Sequence, residues 1–447
     1  MSASSESAAQ WLNSLRLNRF HVGLIALVGL VEVFSGYNSQ VIAYTMPQIT
    51  RDWGLNPIVA GTLSSYAFAG FMVGTAVFGT IADRIGRKKA LLAAVTLFSL
   101  FGGLSGLAPG FGSFVVMRFL AGIGMGAALP IAIALVSEYA PARVRGRVVT
   151  GMTCGFNLGW AVAGFGAMLL VPRFGWRAAL VAGGLPLLLL PFLWYWLPES
   201  VRFLAAKGRY SEAVAQLRRV EASGGRGYDW KPEHFRDFKL ASERSAFAEL
   251  FRRGLTVTTL VLWAAYFLAF LVIYALSMWL PTLLLASGFS LSQGYGLGIL
   301  QAAWAVAGGL LGGYLIDRWG RKPVLAAYYL LGGAALCLLA LFPTGFLLAL
   351  ATAATGVTIL AAPIPQHVVA GETYPTRVRS TGVGWALTVG RVGSILGPVL
   401  GGTMRQAGLS HSLNFLLLAV PCFVCGGLVL LPWFRTLRKE DDLSLAG

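Results

Sequence analysis

Apolar runs bounded by charge or by Pro and Gly recur twelve times along the chain. They cover residues 21–44, 59–82, 88–108, 111–136, 148–171, 177–197, 255–280, 291–316, 323–343, 345–369, 380–403 and 413–434. Each is close to the ~20 residues that a helix needs to cross a ~30 Å hydrocarbon core. In lipid the backbone must satisfy its own polar groups, so runs of this length predict helices. The pattern therefore predicts an all-α membrane protein of twelve transmembrane helices. Composition points the same way. With 56% apolar and only 12% charged residues, the chain cannot cover itself with a water-soluble surface.

The net charge of +17 raises the question of nucleic acid, and its distribution answers it. Of 35 Lys and Arg, 29 fall in the tails and alternate connections, and only Arg51, Arg173, Arg177 and Arg405 lie in the opposite loops. Such asymmetry is the positive-inside pattern, which puts both termini and the long central connection in the cytoplasm. The basic charge then serves topology and attraction to anionic lipid rather than nucleic acid. The expected location is the cytoplasmic (inner) membrane.

Residues 1–20 lack the short apolar core of a cleaved signal, so no removal is expected. Trp11 to Leu17 reads as an amphipathic helix lying on the cytoplasmic interface. Cys154, Cys337, Cys422 and Cys425 all fall inside spans, where thiols behave as small apolar groups. No metal or cofactor is expected.

An internal repeat sets the architecture. Gly79-Thr80-Ile81-Ala82-Asp83-Arg84-Ile85-Gly86-Arg87-Lys88 follows span 2, and Gly313-Tyr314-Leu315-Ile316-Asp317-Arg318-Trp319-Gly320-Arg321-Lys322 follows span 8. Glu138 to Arg145, after span 4, matches Glu372 to Arg379, after span 10. Both pairs are 234 positions apart, which indicates a duplicated six-span block. The predicted plan is a cytoplasmic segment 1–20, a six-helix bundle 21–197, a linker 198–254, a second bundle 255–434 and a tail 435–447. The halves should be pseudo-symmetric, with a site between them near the midplane. In the polar linker, Ser211 and Ser245 can cap short helices resting on the membrane surface.

At the repeated loops the chain resembles the major facilitator superfamily, whose hallmark loop has the G-x-x-x-D-R-x-G-R-K pattern. A narrower resemblance, to its aromatic acid:proton symporters, rests on four stretches: Arg118 to Gly126, Leu197 to Leu204, Tyr274 to Pro281, and Thr381-Gly382-Val383-Gly384 with Gly390-Arg391-Val392-Gly393. The resemblance implies the major facilitator fold, with alternating access to a central site. One departure stands out. Those symporters usually carry two aspartates flanking a glycine-led pair in the first span, where this chain has Ser35-Gly36-Tyr37-Asn38.

Three charges lie well inside spans: Glu32, Arg118 and Arg391. A charge at mid-bilayer costs about 2.5–3.5 kcal/mol on insertion scales, so each should face the bundle interior or a wet cavity. Glu32 lies one helical turn before Ser35, on the same face, and is the proton-coupling candidate. A structural pairing with Arg118 is the alternative reading. The guanidinium forks of Arg118 and Arg391 suit a carboxylate, against a purely structural role for each. Arg391 is the repeat counterpart of Asn157. Ser35, Asn38, Tyr37, Asn157, Tyr266, Tyr274, Gln301, Gln366 and His367 complete the candidate substrate contacts, with Phe270 able to stack on a ring. If the family geometry holds, Asp83 and Asp317 face the N-terminal ends of spans 11 and 5. Arg87 and Arg321 then pair with Glu138 and Glu372, and with Arg84, Arg145, Arg318 and Arg379 they form a cytoplasmic gate.

No span or loop assembles a nucleophile with a base, a metal spacing or a phosphate loop, so an enzyme is not expected. The sequence favours uptake of a small aromatic or related organic acid, with a proton as the expected partner ion and a monomer as the expected state. A sugar porter, a drug or metabolite exporter and a non-transporting sensor are the alternatives.

Overall fold

A computed structural model describes residues 7–224, 228–239, 247–251, 255–374 and 378–431; of residues 236–239, Ala248, Glu372 and Ser380 only the backbone is described. Among the described residues the chain builds sixteen α-helices. Short α1 (Ala8–Ser14) precedes α2 (Arg19–Asp52), α3 (Pro57–Ile85), α4 (Arg87–Leu104), α5 (Phe111–Tyr139), α6 (Arg145–Val181) and α7 (Leu190–Trp196). The linker contributes α8 (Val201–Ala206) and α9 (Tyr210–Glu221). The second half holds α10 (Leu255–Ala286), α11 (Leu291–Trp319), α12 (Arg321–Leu341), α13 (Gly345–Thr355), α14 (Pro363–Thr373), α15 (Arg379–Gln406) and α16 (His411–Leu430).

Eleven helical stretches among the described residues are long and apolar enough to cross a membrane. One of them, Arg145–Trp196, has 52 residues, about twice what a single crossing requires. Gly175 breaks it with φ +75°, a conformation that favours glycine, and divides it into two crossings. The count is therefore twelve.

The duplication is visible in the packing. Gly86 and Gly320, 234 positions apart, close α3 and α11 with φ +98° and +83°. A Cβ on Gly122 would meet the Ala67 carbonyl, and one on Gly356 would meet the Gln301 carbonyl, the same contact 234 positions on. Gly159 against Val33 and Gly393 against Phe267 repeat the relation. Arg145 donates through Nε to the Ala140 carbonyl at 3.3 Å, and Arg379 donates to the Tyr374 carbonyl at the same distance. Small residues at these crossings let the helices approach to backbone contact.

The halves meet at the end away from the linker. A Cβ on Gly61 would run into the Pro398 backbone, and one on Gly402 into Pro57. Ser65 donates to the Ile395 carbonyl at 2.6 Å, Gln40 to the Ser277 carbonyl at 3.1 Å, and Tyr295 to the Tyr44 carbonyl at 2.7 Å.

At the linker end the structure corrects three expectations. α1 does not lie free on an interface: Trp11 and Leu12 are buried in the protein, Trp11 packs edge-on against Trp230 at 5.2 Å, and Arg145 bonds the Asn13 side chain. The apolar face of α9, carrying Ala213, Leu217 and Val220, is likewise covered by protein. Ser211 does not cap that helix, whose N-cap is Arg209 without a side-chain bond. The proposed cap at Ser245 lies outside the described residues, and Phe247–Phe251 forms a 3₁₀ turn.

Candidate functional site

A cationic and aromatic contact between the halves is centred on Arg391 of α15. Its side chain is nearly buried and lies over the Phe71 ring of α3, with Cζ 3.8 Å from the ring centroid. On its own half it lies 5.3 Å from the Phe270 ring and donates from Nη1 to the Tyr274 hydroxyl at 3.5 Å. Tyr274 faces Phe68 at 4.2 Å and Trp160 at 5.9 Å, both in the first half. A guanidinium is planar and weakly hydrated, so aromatic faces stabilise it where water is scarce.

Spacing along α10 builds one wall of the site. Tyr266, Phe270 and Tyr274 recur every four residues and so share a face. Tyr266 and Phe270 stack at 6.0 Å, and Tyr266 also stacks on His367 of α14 at 5.6 Å. The Tyr266 hydroxyl bonds His367 Nδ1 at 2.7 Å. A π-helical turn at Gly356–Leu360, followed by Pro363 and Pro365, precedes His367 and resets the direction of α14. The expected residues Arg391, Tyr266, Tyr274 and His367 are thus brought together. Asn157 stands half-buried on α6, one turn before Trp160.

Other candidates lie elsewhere. Tyr37 donates to the Ala179 carbonyl at 2.6 Å and Asn38 to the Gly183 carbonyl at 3.0 Å, so both side chains are used inside the first bundle. Gln301 is turned into the second bundle, where it donates to Thr355 at 2.9 Å. Arg118 is fully buried within the first half, and its Nη2 donates to the Asn38 carbonyl at 2.6 Å. The pairing of Glu32 with Arg118 is not formed. Both Glu32 oxygens, Arg118 Nε and Nη1, Ser35 Oγ and both amide atoms of Gln366 are buried with no hydrogen-bond partner among the described residues.

The gate residues divide. Arg87 Nη1 meets Glu138 Oε2 and Ser200 Oγ at 2.5 Å each, Ser200 donates to Glu138 at 2.6 Å, and the Arg202 amide donates to Glu138 at 2.7 Å. Glu199 accepts from the amides of Arg87 and Lys88 at 2.8 and 3.1 Å, so a carboxylate caps the positive end of α4. This network joins the linker to the first half and does not reach the second. Asp83, Arg84, Asp317 and Arg318 are exposed, and the two aspartates form no ion pair among the described residues. Arg321 opens α12, and the side chain of Glu372 lies outside the described residues. The end of span 11 expected to face Asp83 includes residues 375–377, which lie outside the described residues, and the halves make contact toward the other end.

Sequence reasoning passed over Phe68, Phe71 and Trp160, the first half's contribution to the site. Glu199 and Ser200 lie in the Leu197 to Leu204 stretch, for which no contact was expected. The signal for the latter was a carboxylate immediately before a helix start, Ser200 being the N-cap of α8.

The model of the sugar (and other) transporter family matches residues 22–431. The chain is 37% identical to a gallate transporter of Pseudomonas putida, over 97% of this chain and 96% of that one. It is 34% identical to a benzoate transport protein of Acinetobacter baylyi, over 97% and 94% of the two chains. Among solved structures it resembles the inward-open conformation of the xylose transporter XylE from E. coli, with a TM-score of 0.76 at 17% identity, covering 95% of this chain and 99% of that one.

Proposed function

The chain belongs to the sugar (and other) transporter family, and from that membership we propose that it imports a small aromatic carboxylic acid together with a proton. It is a membrane transporter rather than an enzyme. The observation that carries the substrate reading is Arg391, a nearly buried guanidinium against Phe71 and beside Phe270 and Tyr274, where the halves meet. A ring carboxylate matches both features: its charge meets the guanidinium fork and its ring meets the aromatic walls. The names of the relatives, which specify benzoate and gallate, support the same class.

Glu32 supports proton coupling. It is a fully buried acid with neither oxygen bonded among the described residues, in the half that lacks the usual aspartates. A lone acid whose charge its surroundings do not balance is suited to carrying a proton through a transport cycle. We place both termini and the linker on the cytoplasmic side of the inner membrane, which the charge asymmetry supports.

A competition panel in proteoliposomes tests the substrate class. Benzoates should inhibit uptake of labelled benzoate, while xylose and cationic drugs should not. Competition by sugars with no response to benzoates would reverse the assignment.

Alternating access also demands that Gly61 and Pro398 separate and rejoin. Gly61→Leu puts a side chain into that backbone contact, and overpacking of this kind costs about 1–3 kcal/mol. Uptake should fall at least about fivefold, because the clash disfavours the state in which Gly61 and Pro398 meet. Full uptake by the variant would show that this closure is not part of the cycle.

A further inference from the structure

The environment of His367 points to a second recognition element at the ring end of the substrate, an inference that rests on the ring-acid reading above. Tyr266 is fully buried, and the one hydrogen bond of its hydroxyl among the described residues is to His367 Nδ1. If Nδ1 carried the proton, the buried phenol would accept it and its own O–H would be left without an acceptor. Satisfying both groups requires the phenol to donate to Nδ1, so the neutral imidazole carries its proton on Nε2. That N–H has no hydrogen-bond partner among the described residues.

His367 is also the exposed member of the row. It and Val368 are exposed, whereas Gln366, Val369 and Ala370 around them are buried. Between Phe270, which lies beside Arg391, and His367 stands a single ring, that of Tyr266. The site thus has an anion-binding end at Arg391 and an N–H donor at His367, with the Phe270 and Tyr266 rings of one wall between them. We propose that His367 is a specificity-determining residue whose Nε2–H receives a hydrogen-bond acceptor on the far edge of the substrate ring. The preferred cargo is then a ring acid bearing a hydroxyl oxygen or a ring nitrogen opposite its carboxylate, rather than an unsubstituted benzoate. Tyr266 is the positioning residue that fixes the tautomer.

A donor that loses its acceptor inside a site is costly, which is why polar recognition discriminates more strongly than apolar fit. The test measures dissociation constants of purified protein for benzoate, 4-hydroxybenzoate and isonicotinate, in wild type, His367→Ala, His367→Asn and Tyr266→Phe. Wild type should bind at least one substituted acid about tenfold more tightly than benzoate. His367→Ala should erase that preference, bringing the constants for the three acids within about twofold of one another, with folding of the variant checked by its thermal melting. His367→Asn, which keeps a donor, should restore part of it. In ¹⁵N spectra of labelled protein the His367 signal, assigned by its loss in the alanine variant, should report the Nε2–H tautomer in wild type and lose that bias in Tyr266→Phe. Equal loss for all three acids in His367→Ala, or no preference in wild type, would overturn the proposal while leaving the ring-acid reading intact. Failure of wild type to bind any of the three would overturn both.

Discussion

Replacing Arg391 with alanine should raise the dissociation constant for a ring carboxylate about a hundredfold, with transport falling in step. The expectation follows from the site. Arg391 is the cation that the described residues place at the Phe71, Phe270 and Tyr274 contact, and removing one partner of a buried charge pair costs about 2–5 kcal/mol. Arg391→Lys keeps the charge but not the planar fork or the stacking on Phe71, so it should lie between wild type and alanine. Arg118→Ala offers the contrast. Arg118 is committed to the Asn38 carbonyl inside the first half, so its loss should lower thermal stability more than it alters affinity in whatever protein remains folded. Unchanged affinity in Arg391→Ala would remove the anion site from this account.

Glu32→Gln should abolish accumulation driven by a pH gradient while leaving exchange of labelled for unlabelled substrate. Glutamine keeps the shape and polarity of the side chain but cannot release a proton. If one proton accompanies each acid anion, each pH unit supplies about 1.4 kcal/mol, or about tenfold accumulation. Wild-type vesicles that are acidic outside should therefore concentrate the acid about tenfold per unit of gradient. The direction follows from mass action: more protons outside load the carrier outside, so uptake rises as external pH falls. In the variant the internal concentration should level off at the external one. Continued concentration by Glu32→Gln would place coupling on another group.

Much of the fold was legible because membrane length and duplication leave strong marks. Twelve apolar runs and two motifs sharing one offset anticipated helices whose backbone contacts repeat at that same offset, as in Gly159 with Val33 and Gly393 with Phe267. Arg391 was legible for a related reason, since a charge inside a span is costly and needs a purpose. The orientation of side chains around α2 was not. From Ser35 to Met46 this helix is buried on every side, so no periodicity distinguishes a cavity face from a packing face, and the bonds of Tyr37 and Asn38 to carbonyls of the first half could not be read from it. The fate of α1 was hidden differently. An amphipathic stripe says that something apolar must cover it, and lipid and the chain's own Trp230 satisfy that demand equally. Phe68, Phe71 and Trp160 escaped notice because aromatic residues are common along membrane helices.

The central claim is that the two halves enclose a ring acid whose carboxylate meets Arg391. It is tested most directly by an experimental structure of the protein with 4-iodobenzoate, the iodine being located by anomalous scattering. The account predicts the carboxylate at the Arg391 guanidinium, the ring between Phe71 and the α10 aromatic row, and the iodine directed toward His367. Iodine located within the first bundle or on the lipid face, with Arg391 left unoccupied, would contradict it.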